Sequence, residues 1–241
     1  MSNMSLNIVK DFSINCLDAN VSYSFMNLAS LSSFFTKTDN DNISYFCDGM
    51  LMVLAVKLIT KEKIKRVSFD YTSIAGDVFD YAAKHKKPVY IVGAEQYELD
   101  NFVNKIQSRH SGLIVAGSRN GYFDEAEQQS IYRSVIDSGA EIVVAGLGAG
   151  KQELFLSGLH HAGYQGVSFS CGGFIRQESS TELTYYPKWI NALSLRAFYR
   201  MYKEPHTIRR YLIDYPRNTL VLFNRSIFGK LSTKVVDYEQ V

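Results

Sequence analysis

Short apolar runs and longer segments of helical spacing alternate along most of this chain. Residues 21–26, 43–47, a stretch around Val67, 88–92, 113–116, 142–145 and 166–170 read as strands, and residues 6–9 as a shorter one. Between them, residues 28–35, 50–59, 74–85, 97–107, 125–136 and the segment opened by Lys151 read as helices. The 50–59 helix is apolar enough to be largely buried. Strands and helices alternating at this interval predict crossover units: a mainly parallel, Rossmann-like α/β sheet flanked by helices. After Gly173 the alternation stops. Residues 185–222, punctuated by Pro187, Pro205 and Pro216, read as two or three helices. The chain is thus expected to divide into an α/β domain, residues 1–187, and a basic, aromatic-rich helical C-terminal appendage, residues 188–241.

In sheets of this kind ligands sit beyond the carboxyl ends of the strands. Four post-strand turns fall there: Asp48-Gly49, Gly93-Ala94, residues 117–123 and residues 146–153. The last is the most pointed. In EIVVAGLGAGKQE, residues 141–153, an apolar run breaks at Gly146, Gly148 and Gly150. Lys151, Gln152 and Glu153 then open a helix carrying Leu154, Leu156 and Leu159. Free backbone N–H groups at a strand's carboxyl end favour an anion such as a diphosphate. The alternative is a tight turn in which glycine serves only close packing. The third glycine comes one residue early for the dinucleotide fingerprint, and no acidic residue closes the next strand, which argues against a dinucleotide oxidoreductase. Gln152 stands where a P-loop needs Ser or Thr.

Composition narrows the classes further. The 241 residues are 46% hydrophobic and 21% charged, with a net charge of +2, too little to imply nucleic acid. The charge is uneven: ten basic and four acidic side chains follow from Lys188 onward. Cys16, Cys47 and Cys171 are scattered and odd in number, which suggests a reducing compartment. No zinc spacing is present, and His160-His161 cannot share one helix face. Residues 50–56, the longest apolar run, are too few to cross a bilayer, and no signal peptide is read.

Several pieces read together in order. They are CDGM at 47–50, IVGAEQ at 91–96, GSRNGYF at 117–123, GLGAGKQE at 146–153, YYPKW at 185–189 and YRMYKEPHTIRRY at 199–211. Over roughly residues 21–215 their order and spacing resemble the WecG/TagA/CpsF family, glycosyltransferase family 26. The resemblance implies a bacterial enzyme that passes a sugar, often of N-acetylmannosamine type, from a UDP-sugar to a polyprenyl-diphosphate-linked acceptor. Such enzymes serve cell-surface polysaccharide assembly, including capsule and O-antigen. It further implies a cytoplasmic protein, peripheral at the inner face of the membrane, with no metal and no cofactor. The rival reading is a non-catalytic nucleotide-sugar-binding homologue on the same fold. The oligomeric state stays open, a homo-oligomer included.

Carried over by position, Asp48 matches the family's catalytic base. Inverting transfer needs a carboxylate to take the acceptor hydroxyl's proton; an aspartate before an apolar helix can equally be its cap. Asn27 matches a residue contacting sugar or acceptor, and a helix cap is again the alternative. Gly93, Gly146, Gly148, Lys151, Gln152 and Glu153 belong to the expected nucleotide turns, although first-turn polarity would also explain Gln152 and Glu153. Gly121 and Tyr122 match the family's GYF turn, with Tyr122 either lining the pocket or packing in the core. Arg200 and Arg210 match C-terminal arginines expected on the diphosphate. The family pattern is broken at Gly150, Asn120, Phe25, Arg196-Ala197 and Thr207, where proline, histidine, a threonine-type residue, a glutamate–tryptophan pair and a third arginine are expected. Arginines and aromatics interleaved over 188–230 suit an anionic membrane surface; a helical appendage with a solvated basic face is the plainer reading.

Overall fold

The structure, a computed structural model, describes residues 4–35, 43–180, 199, 201–202 and 205–240. Its strands are β1 (Met4–Val9), β2 (Ser22–Met26), β3 (Ile43–Cys47), β4 (Val89–Gly93), β5 (Val115–Arg119), β6 (Ile142–Gly146), β7 (Val167–Ser170) and β8 (Leu231–Val236). They form one sheet in the order β5-β4-β6-β7-β2-β3-β1-β8, with every pairing parallel. The helices are α1 (Leu31–Phe35), α2 (Met50–Thr60), α3 (Ala75–His85), α4 (Gln96–Arg109), α5 (Glu125–Asp137), α6 (Lys151–His161), α7 (Phe174–Ser179) and α8 (Tyr215–Ile227).

The period-two pleat assigns alternate residues to opposite cores. Tyr23, Phe46, Ile142, Val144 and Phe169 face one layer, made by α3, α4 and α7. Val143 and Ala145 face α5 and α6, while Leu6, Ile8, Met26 and Cys47 face α1, α2 and α8. A polar seam separates these last two clusters. Ser22 and Ser168 share a hydrogen bond at 2.8 Å, Ser24 and Ser170 one at 2.9 Å, and Ser24 Oγ donates to Glu153 Oε1 at 2.9 Å. Strands buried on both faces explain why the sequence shows apolar runs rather than clean alternation.

Three expectations need correction. The stretch around Val67 is no ladder strand; it runs extended beside the sheet, with Val67 N–H donating to Cys47 O at 2.9 Å. The strand expected at 113–116 instead spans Val115–Arg119, because Gly117, Ser118 and Arg119, read as loop, pair with Tyr90, Ile91 and Val92. Helix α2 is not largely buried: Met52, Val53, Ala55 and Val56 are, but Met50, Leu51, Leu54 and Leu58 are exposed.

At the C-terminal side, the chain turns through a π-helical segment, Arg210–Asp214, into α8, which packs on α1 and α2. Then β8, which has no counterpart in the sequence reading, lies along the whole of β1, from Met4↔Leu231 to Val9↔Val236. The expected boundary at 187/188 lies outside the described residues, as do Trp189, Arg196-Ala197 and Arg200. No helix among the described residues is long and apolar enough to cross a membrane.

Candidate active site

The chain leaves β4 toward β5 on one side and leaves β6 toward β7 on the other, so the carboxyl ends of β4 and β6 diverge. Such a switch point is where open α/β sheets hold ligands. Gly93 and Gly146 are paired there. Gly93 has φ +146, and a Cβ on it would stand 2.5 Å from Gly146 O, so the two backbones need that bare position. Gly121 closes against the same point, its N–H donating to Ala94 O at 2.9 Å. Above them opens a cleft of about 1210 Å³ lined by, among others, Asn27, Asp48, Arg66, Gly121, Tyr122, Gly146, Gly148, Lys151, Gln152 and Arg210. Gly93 backs this cleft rather than lining it; Ala94 is the residue that faces in.

Asp48 follows β3 and its N–H donates to Met26 O at 2.8 Å, which fixes it against β2. The cap position of α2 belongs to Gly49 and carries no side-chain cap hydrogen bond, so Asp48 is not the helix cap. Its Oδ1 accepts from Arg66 Nη2 at 3.1 Å, and its side chain stays 33% exposed toward the cleft. Arg66 Nη2 also donates to Ser68 Oγ at 2.7 Å and reaches Asp70 Oδ2 at 3.4 Å. Burial pushes the Asp48 carboxyl above the usual carboxylate range; Arg66 and Arg210 pull it down, and Asp70 pushes it up. For Asp70 burial acts the same way, but hydrogen bonds from Thr72 and Ser68 and the Arg66 charge hold it below its ordinary value.

Arg66, Ser68 and Asp70 are the functional candidates missed in the sequence. Their signal is a period-two stretch in which Val67 and Phe69 go into the core, 2% and 4% exposed, and the polar residues alternate with them.

Arg210 comes from the π-helical segment and is brought to Asn27, donating to its Oδ1 at 2.9 Å. The same Oδ1 accepts from Ala29 N at 3.0 Å and Ser30 N at 3.2 Å. Asn27 therefore caps the turn into α1 and also faces the cleft. Arg210 Nε is buried without a hydrogen-bond partner among the described residues. Such an orphaned donor beside a cleft is what an anionic ligand would satisfy. At position 207, where a third arginine is expected, Thr207 is buried.

In the glycine turn, Glu153 is turned inward. Its Oε2 accepts from Gly150 N at 2.6 Å, and its Oε1 from Ser24 Oγ and Gln152 Nε2, both at 2.9 Å. Gln152 Oε1 accepts from Gly172 N at 3.2 Å. These two residues clamp the turn onto β2 and the end of β7, and only Gln152 reaches the cleft. The Gly150 N–H is thereby already engaged, which leaves Gly148 and Ala149 as the open part of the turn. Tyr122 is 72% exposed at the rim, so it is not a core aromatic. The neighbouring Phe123 takes that place, packing on Phe155 with ring centroids 6.0 Å apart.

Burial pushes the thiols of Cys47 and Cys171 up to about 12, which removes both as nucleophiles near neutral pH. Among the described residues no three His, Cys, Asp or Glu side chains converge as a metal site. The arrangement brings the Asp48 carboxylate, a glycine turn and the arginines Arg66, Arg176 and Arg210 around one cleft. It can take a proton at Asp48 and hold an anion beside Arg210.

Comparison with known proteins shows the family. The profile described as Glycosyl transferase WecG/TagA/CpsF family matches residues 14–231. The UDP-Gal:alpha-D-GlcNAc-diphosphoundecaprenol beta-1,4-galactosyltransferase of Shigella boydii is 34% identical over 192 residues, spanning 75% of this chain and 79% of that protein.

Proposed function

This chain belongs to the WecG/TagA/CpsF family of glycosyltransferases, and from that premise we propose that it moves a hexose from a UDP-sugar to a sugar borne on a polyprenyl diphosphate, in cell-surface polysaccharide assembly. The observation that carries the reading is the Asp48 carboxylate, held by Arg66 yet open to a cleft that begins at the strand switch point.

The reaction is a single displacement with inversion. Asp48 takes the proton of the acceptor hydroxyl as that oxygen bonds to the anomeric carbon of the donor. The bond from that carbon to the diphosphate oxygen breaks, and UDP leaves with the electron pair. A carboxylate whose proton affinity is raised by burial is better matched to this task than a solvated one. Arg210 and the Gly148–Ala149 turn stabilise the charge growing on the diphosphate. Arg200, by its place in the sequence, serves the same end. Tyr122 at the rim lies against the nucleotide. The protein works peripherally at the cytoplasmic face of the membrane, aided by its basic C-terminal segment.

The test is UDP release. Purified protein is mixed with UDP-galactose or UDP-N-acetylmannosamine and an N-acetylglucosamine-diphosphate-lipid acceptor. Release that depends on the acceptor supports transfer, and the faster donor names the sugar. UDP binding with no acceptor-dependent release from either donor would sink the proposal.

A further inference from the structure

Helix α2 is apolar over most of its circumference, with Lys57 on the outer side. Its inner residues fill the core beside β3, whereas Met50, Leu51, Leu54 and Leu58 are 58%, 54%, 50% and 71% exposed. At 100° per residue these four, together with Lys57, fall on one outer stripe, and Lys61 follows it as the left-handed C-cap of the helix. A helix that is apolar all round is ordinarily a buried one. A contiguous apolar stripe on the surface therefore marks an interaction face.

The surroundings identify the occupant. Met50 and Leu51 also line the cleft that holds Asp48, so the stripe runs unbroken into the active site. Its far end is basic: Lys57, Lys61, Lys63 and Lys65 are exposed, Lys65 in an ion pair with Asp11, and Glu62 is the one acid between residues 50 and 66. Helix α8, packed beside α2, exposes Leu220, Ile227 and Arg217 in the same mixture. Apolar side chains bounded by lysine and arginine suit the boundary between acyl chains and anionic headgroups. Four half-exposed side chains offer roughly 400 Å², about half of what one partner of a standard stable protein interface buries. The area suits a membrane contact better than a dimer.

We propose that the outer stripe of α2, Met50, Leu51, Leu54 and Leu58 with Lys57 and Lys61, docks the protein on an anionic lipid leaflet, so that the Asp48 cleft opens at the level of the headgroups. The proposal rests on the reading that the acceptor is lipid-linked. It adds a docking element distinct from the basic C-terminal segment. A diphosphate at the leaflet surface then enters the cleft over Met50 and Leu51 without leaving the bilayer.

The experiment uses the full chain and flotation with phosphatidylcholine vesicles, with and without phosphatidylglycerol. Leu54 and Leu58 lie outside the cleft, and glutamine is a good helix former. The double variant Leu54→Gln/Leu58→Gln is expected to lose about tenfold or more in vesicle affinity, from the apolar area withdrawn. It should keep its transfer rate on a water-soluble short-chain acceptor and lose rate on acceptor embedded in vesicles. Lys57→Gln/Lys61→Gln should weaken binding only where phosphatidylglycerol is present. Unchanged flotation of the leucine variant would overturn the proposal. So would loss of a dimer in sedimentation equilibrium, which would assign the stripe to a second copy of the chain. Failure of the unaltered protein to turn over the soluble acceptor would count against the sugar-transfer reading alone, since flotation is read without it.

Discussion

Arg66 Nη2 stands 3.1 Å from Asp48 Oδ1 and ties the carboxylate after β3 to the extended segment that leads to α3. Arg66 is in turn shared with Asp70 at 3.4 Å. Asp48 therefore does not act alone. Its orientation is held, and its proton affinity lowered against the effect of burial, by a residue eighteen positions on.

Replacing Asp48 by Asn removes the base and keeps an oxygen for Arg66. Because Gly49 holds the cap position of α2, the helix loses nothing. We expect acceptor-dependent UDP release to fall by about 10²–10⁴-fold, with an unchanged thermal midpoint. Near-normal turnover would remove Asp48 from the mechanism.

The pH profile follows from the direction of the shifts. Asp48 is raised above the ordinary carboxylate value of 3.8. Its active, deprotonated form is thus gained at higher pH than for a solvated aspartate. The acid limb of kcat/KM should lie above 3.8, and Arg66→Gln should move it further up, since the guanidinium is what pulls Asp48 down. A limb that stays put in Arg66→Gln would mean that Arg66 has a purely structural role. For stability the two carboxylates oppose each other. The contribution of Asp48 is full below 3.8 and is lost as pH rises through its folded value. That of Asp70, held low, is present above 3.8 and lost as pH falls through its folded value.

The glycines of the switch point should separate by role. Gly93→Ala forces a Cβ to within 2.5 Å of Gly146 O at φ +146. It should lower stability by about 1–3 kcal/mol for the backbone conformation alone, with the contact adding to that. Gly148 has φ +82 and open space around it. Gly148→Val should lower stability by about 1–3 kcal/mol for the backbone conformation, leave unfolding cooperative because its Cβ meets nothing, and weaken UDP binding, measured by calorimetry. UDP affinity retained in a folded Gly148→Val protein would place the nucleotide elsewhere.

Arg210→Ala removes one charge-assisted donor to Asn27 and the orphaned Nε. Loss of one such bond to a diphosphate is worth about 1.5–3 kcal/mol, so UDP affinity should drop on the order of tenfold or more. Deleting everything after Ser194 is a blunter test. It strips out Leu222 and Leu231, 0% and 4% exposed in the core, and the shortened chain should melt at lower temperature. UDP binding unaffected by Arg210→Ala would release Arg210 from the site.

The central strands were legible because burial on both faces writes itself as unbroken apolar runs, as at 142–145. β8 was not. Leu231, Thr233 and Lys234 mix apolar and polar side chains as an edge strand does, and nothing in such a stretch announces pairing. Helix α2 shows the limit of composition: apolar content says that a side chain seeks cover and is silent on whether protein provides it. Asp48 read as cap or as base, and Gly49 in the cap position takes the cap reading away. Asn27 read as a sugar or acceptor contact or as a cap, and its Oδ1 serves the turn and Arg210 together. Between Tyr122 and Phe123, one had to point in and one out. The sequence pattern did not fix which.

The pairing of β1 with β8 has a consequence for synthesis. A ribosome that has made the first seven strands has laid down Asp48, Arg66 and the glycine turn, yet β1 still presents a bare outer edge and Asn27 faces no Arg210. Contacts 183 and 227 residues apart in sequence, Arg210 with Asn27 and Met4 with Leu231, wait for the last part of the chain. Pairings of such long range form late, and an unpaired edge strand invites association with other chains in the interval. The cleft thus acquires Arg210, and the sheet its last edge, only when the final part of the chain has been made.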